Sequence, residues 1–161
     1  MQLRYYQEES LAALLAYFQS KPIDSNPLLV LPTAAGKTIV FSHLIKQLSG
    51  GNRRFMILAH RQELVSQAKD KLLKVWPEAP VGILAASLKS YDTDAPALIA
   101  SMDTLSSSKR LDAAPGVYYI ILDVATHIPP STTNRYSNVL SATRSKNPSR
   151  STRVTSPPPS M

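Results

Sequence analysis

The chain contains no cysteine, only five glycines, no apolar run long enough to cross a membrane and no acidic residue after Asp123. Without cysteine there is no disulfide framework and no thiolate metal site. Without a run of about 20 apolar residues there is no transmembrane helix. The N-terminus carries no signal-peptide pattern, so the cytoplasm is the expected compartment and a membrane partner is not expected. The formal net charge is +7, yet residues 1–130 hold 13 Lys and Arg against 11 Asp and Glu. Residues 131–161 hold five basic residues, Arg135, Arg144, Lys146, Arg150 and Arg153, and no acid. The basic excess is mainly a property of the tail, so it marks no nucleic-acid footprint on the rest of the chain.

The composition that remains is that of a globular domain, 43% hydrophobic and 18% charged over 161 residues. A chain of this size buries roughly 68–70% of its unfolded surface. Residues 5–19 read as a helix, with Leu11, Leu14, Leu15 and Phe18 at three- and four-residue spacing and Lys21-Pro22 as the stop. Leu28–Leu31 is a short continuous apolar run that suits a strand buried on both faces. A loop over Thr33–Gly36, a helix over Lys37–Leu48 and a Gly50-Gly51-Asn52 turn follow. Further strands are expected at Phe55–Ala59, Val81–Leu84, Ala97–Ala100 and Val117–Leu122, with a helix over about residues 61–75. Leu72, Leu73, Val75 and Trp76 read as helix packing rather than a stacking platform. Strands alternating with helices imply an α/β fold with a mostly parallel sheet. There is no internal repeat. After Pro130 the pattern weakens to a weak helix over residues 131–147 and a Ser/Pro/Arg tail over 148–161 that cannot bury enough to order itself.

The chemistry concentrates in Pro32-Thr33-Ala34-Ala35-Gly36-Lys37-Thr38. Binding a polyphosphate takes a strand, a tight loop and a helix whose N-terminal N–H groups face the anion. It also takes a lysine for the outer phosphates and a hydroxyl for Mg²⁺. These parts occur here in that order, although Leu31 stands where the common phosphate-loop pattern has its first glycine.

The spelling PTAAGKT resembles motif I of the superfamily 2 helicases, the DEAD/DEAH-box and type III restriction-subunit group. The resemblance covers residues 1–130 and implies an N-terminal RecA-like ATP-binding domain, incomplete at its C-terminal end, that uses ATP and Mg²⁺ and binds a DNA or RNA backbone. On this likeness Thr33, Ala34, Ala35, Gly36, Lys37 and Thr38 bind ATP. Leu3-Arg4-Tyr5-Tyr6-Gln7 resembles the segment whose glutamine and neighbours hold adenine, which adds Arg4, Tyr5 and Gln7 to the ATP set; alone, Gln7 would read as a surface residue on a first helical turn. Ile57–Leu64 resembles motif Ia, which implies backbone contacts at His60 and Arg61, and Ile99–Leu105 resembles the region of motifs Ib and Ic, which adds Ser101.

Asp123-Val124-Ala125-Thr126-His127 occupies the place of motif II. The resemblance assigns Asp123, with Thr38, to the Mg²⁺ shell, and it expects a glutamate where Val124 stands. Phosphoryl transfer depends on positioning, charge and an oriented water. Val124 has no lone pair, and loss of such a group costs about 10²–10⁴-fold in rate. No catalytic residue is therefore intact, and His127 reads as a surface histidine.

Motif III, usually Ser/Thr-Ala-Thr on a strand, has one match in Ser141-Ala142-Thr143, but no apolar run leads into it. The tail suggests another origin. A Leu-Thr-Ala-Thr run with codons ending in C, read one base late, gives the Ser-Pro-Pro-Pro found at Ser156–Pro159. The hypothesis is a change of reading frame between Pro148 and Val154; coding DNA with no Thr-Ala-Thr-like strand in either shifted frame would sink it. In the resembled fold that strand lies between the phosphate-loop strand and the motif II strand, so its loss would open the middle of the sheet. The second RecA-like domain is also expected to be missing, which leaves no strand separation by this chain alone. The leading expectation is an ATP-binding domain fragment of a superfamily 2 helicase with hydrolysis lost. The alternatives are a non-catalytic nucleotide- or nucleic-acid-binding module and a non-functional pseudogene product. Oligomeric state is not legible.

Overall fold

The computed structural model describes residues 2–20, 27–32, 34–49, 53–60, 62–113, 119–123 and 139. Helix α1 spans Tyr5–Ser20 and α2 spans Lys37–Leu48; β1 is Phe55–Ala59 and α3 is Gln62–Val75. Strand β2 (Val81–Ala85) leads through a 3₁₀ turn (Ala86–Leu88) into the two-residue β3 (Ser90–Tyr91). Then come β4 (Ala97–Ser101), α4 (Met102–Leu105), α5 (Ser108–Ala113) and β5 (Tyr119–Asp123).

Among the described residues the strands form one sheet in the order β3-β2-β4-β1-β5. All neighbours are parallel except β2 and β3. The expected α/β class holds. Parallel strands are covered on both faces, and β1 and β4 are buried at every position. Alternation sorts their side chains into two clusters. Met56, Leu58, Leu98, Ala100 and Ile120 pack with Met102, Leu105 and Val139 on one face. Phe55, Ile57, Ile99, Tyr119 and Ile121 pack on the other with Ile45, Val65, Ala68 and Trp76 from the α2 and α3 side. Leu72 and Val75 are also buried, so the stripe that ends in Trp76 is packing, as its spacing indicates. Leu11 and Leu14 of α1 meet Val40 and Leu44 of α2 in a third cluster.

One expected strand is not formed. Leu28–Leu31 is not paired into the sheet among the described residues. Leu29 and Leu31 pack against the α1–α2 cluster, whereas Leu28 is 57% and Val30 78% exposed. The run is apolar enough for a buried strand, but a strand also needs a partner for its N–H and C=O groups. Among the described residues the run pairs with no strand, neither with the edge of β5 nor with any other. The helix expected from residue 61 is described from Gln62, and the strand expected from Val117 is described from Tyr119. Sequence patterning missed β3, because two residues carry no period. The Lys21-Pro22 stop, the Gly50–Asn52 turn, the helix over 131–147 apart from buried Val139, the Ser141–Thr143 match and the tail lie outside the described residues.

Candidate functional site

The loop before α2 is tight and left-handed at two positions, Ala34 (φ 65°) and Gly36 (φ 82°). The N–H of Ala35 donates to the Pro32 carbonyl at 3.1 Å, which closes the turn. Gly36 is the N-cap of α2, and its carbonyl accepts from the N–H of Ile39 (2.9 Å) and of Val40 (3.2 Å). Only glycine suits this position. A Cβ there would lie 2.5 Å from Gln7 Nε2, at a φ that side chains avoid. Helix α2 has no side-chain cap and no acid in its first turn. The partial positive charge of its N-terminus therefore stands beside a left-handed loop of the kind that binds anions. Lys37 is the first residue of the helix and half-buried; Thr38, the second, is buried, and its carbonyl accepts from Ser42 Oγ at 2.7 Å.

The start of α1 is fastened to this loop. Gln7 is 6% exposed, so it is not the surface residue that it would be on an isolated helical turn. Its Oε1 accepts from the N–H of Arg4 at 2.9 Å, and its Nε2 donates to the Ala35 carbonyl at 2.8 Å. Tyr6, which patterning did not single out, donates its hydroxyl to the same carbonyl at 3.3 Å and accepts from Arg4 Nη1 at 3.2 Å. Tyr5 is 80% exposed and meets Tyr6 edge-on at 5.5 Å between ring centroids. The structure therefore gathers Arg4, Gln7, Ala35 and Gly36 into one network, with Tyr5 on its outer side.

The parallel register builds the second half of the site. Ala59 of β1 pairs with Ser101 of β4 and with Asp123 of β5, so three strands end in one row. Exposed His60 follows β1 directly, buried Ser101 closes β4 and Asp123 closes β5. The carboxyl edge of a parallel sheet is where such folds bind ligands. Thr104 on α4 braces this row by accepting at Oγ1 from the Ala86 N–H at 2.8 Å. Arg53 Nη1, just ahead of β1, donates to the Leu48 carbonyl at the end of α2 at 3.3 Å. Thr33, Arg61, Val124, Ala125, Thr126 and His127 lie outside the described residues.

Among the described residues no group of three or more His, Asp or Glu is placed to hold a metal ion. A hydroxyl such as that of Thr38 and a carboxylate such as that of Asp123 are oxygen donors, the donor type that Mg²⁺ takes alongside phosphate and water. Among the described residues no helix is long and apolar enough to cross a membrane.

The family model described as type III restriction enzyme, res subunit, matches residues 1–148. The chain is 35% identical over 117 residues to a protein named putative ATP-dependent helicase IRC3 from Saccharomyces cerevisiae, covering 68% of this chain and 16% of that one. The chain thus spans about a sixth of the length of this curated relative. Two solved structures share its fold, each with a TM-score of 0.62. One is a nuclease-deletion mutant of the Type ISP restriction-modification enzyme LlaGI in complex with a DNA substrate mimic, at 16% identity over 87% of this chain and 16% of that one. The other is the Sulfolobus solfataricus SWI2/SNF2 ATPase core in complex with dsDNA, at 18% identity over 88% of this chain and 29% of that one.

Proposed function

Because the chain belongs to the type III restriction enzyme res-subunit family, a family of helicase-like ATPase domains, we propose that it is a nucleotide-binding lobe that takes ATP through the loop Pro32–Thr38 and turns it over slowly or not at all. The observation that carries this reading is the loop itself, left-handed at Gly36, clamped from α1 and leading directly into the N-terminus of α2, where Gly36 is the N-cap. Loop N–H groups and Lys37 would neutralise the phosphates. Arg4, Tyr5 and Gln7 would flank the base, and Thr38 and Asp123 would hold Mg²⁺. The ion, when bound, offsets charge on the transferring phosphoryl group. Val124 leaves the attacking water without an orienting carboxylate. His60 and Ser101, at the carboxyl edge, and Arg61, next to His60 in the sequence, would meet a DNA or RNA backbone.

Fluorescent-ATP titration tests the reading. Wild-type protein should bind, and Lys37→Ala should weaken binding at least tenfold, a loss of about 1.4 kcal/mol. Equal affinity in both proteins would remove the phosphate loop from the account. A gain of ATPase activity in Val124→Glu would identify that position as the block to turnover; no gain would place the block elsewhere. A second reading, nucleic-acid binding without turnover, is favoured by Val124 together with the five basic and no acidic residues of 131–161. It requires affinity that falls steeply with salt.

A further inference from the structure

We propose that Tyr6 is a positioning residue for the phosphate loop, acting on the peptide between Ala35 and Gly36. This assignment rests on the nucleotide-binding reading above and extends it to a residue outside the expected ATP set. The Ala35 carbonyl receives two donors from α1, the Gln7 amide at 2.8 Å and the Tyr6 hydroxyl at 3.3 Å. Both lone pairs of that oxygen are thereby used. No peptide is cis among the described residues, and in a trans peptide the N–H points opposite to the C=O. Drawing the Ala35 carbonyl toward α1 therefore turns the Gly36 N–H away from α1. An N–H so turned is the one that an anion held by the loop would meet. Arg4 Nη1, 3.2 Å from the Tyr6 oxygen, donates to it and polarises the hydroxyl as a donor. A charged arm on the base side of the site thus sets the aim of a phosphate-binding amide.

The test is Tyr6→Phe, which removes the hydroxyl and keeps the ring, with Tyr17→Phe on the same helix as the matched control. Two readouts are taken: amide hydrogen exchange at Ala35 and Gly36 without nucleotide, and affinity for inorganic tripolyphosphate beside ATP. Loss of one hydrogen bond of ordinary strength corresponds to roughly three- to tenfold. Tyr6→Phe should speed exchange at both amides and weaken tripolyphosphate and ATP by the same factor within that range, while Tyr17→Phe changes neither. Loss of ATP affinity with tripolyphosphate unchanged would make Tyr6 a base contact and overturn the proposal. Unchanged exchange and affinity in Tyr6→Phe, in a protein whose wild type binds both ligands, overturns the proposal and leaves the nucleotide reading standing. Wild-type protein that binds neither ligand overturns that reading, and the proposal with it.

Discussion

At Gly36 two constraints meet that are separable by experiment. The φ of 82° penalises any side chain, and a Cβ would strike Gln7 Nε2, which cannot retreat without giving up its bond to the Ala35 carbonyl. Gly36→Ala should cost about 1–3 kcal/mol of unfolding free energy in urea denaturation. In a Gln7→Ala background the same change should cost less, because the collision is gone and only the backbone strain remains. Equal costs in the two backgrounds would mean that the packing of Gln7 on the loop contributes nothing. The sequence made Gly36, Lys37 and Thr38 legible through their spacing, since phosphate binding is a local arrangement. It did not make Tyr6 legible, nor the burial of Gln7. Both depend on α1 lying across a loop some 28 residues further along the chain, and no local period encodes that crossing.

Elements were legible where amphipathic spacing or a buried run coincided with a partner. Helices α1 to α3 and strands β1, β2, β4 and β5 fall at or near their expected places for that reason. Leu28–Leu31 shows the opposite case. Its composition matches β1, yet pairing is a property of two segments, and the described sheet ends at β5. Its packing still alternates, with Leu29 and Leu31 inward and Leu28 and Val30 outward. A sharp contrast follows. Leu28→Ser and Val30→Ser should each change stability by no more than about 0.5 kcal/mol, whereas Leu14→Ala, in the α1–α2 contact, should cost about 2–5 kcal/mol. A cost above about 2 kcal/mol for Val30→Ser in thermal or urea unfolding would mean that this segment is a covered strand after all.

For the molecule as a whole, the outer edge of β5 is the place to watch. It has no partner strand among the described residues, and the apolar side chains of Leu28 and Val30 are also uncovered. Open edges and uncovered apolar side chains each promote association between copies. Light scattering should rise more than linearly with concentration, and Leu28→Lys combined with Val30→Lys should suppress the rise without lowering the unfolding midpoint. Scattering that stays proportional to concentration would show that the edge is shielded. The register that places β5 on β1 also has a consequence for how the fold is reached. Phe55 pairs with Tyr119, while β1 and β4 join Phe55 to Ala97, a closer position in the chain. Contacts between distant segments form late because the intervening loop must close first. During synthesis β1, β2 and β4 can assemble before β5 has left the ribosome, so one side of β1 stays open for a fixed interval of translation. The pace of elongation through residues 102–123, and any chaperone that meets the chain in that interval, would then govern how much of it reaches the native sheet.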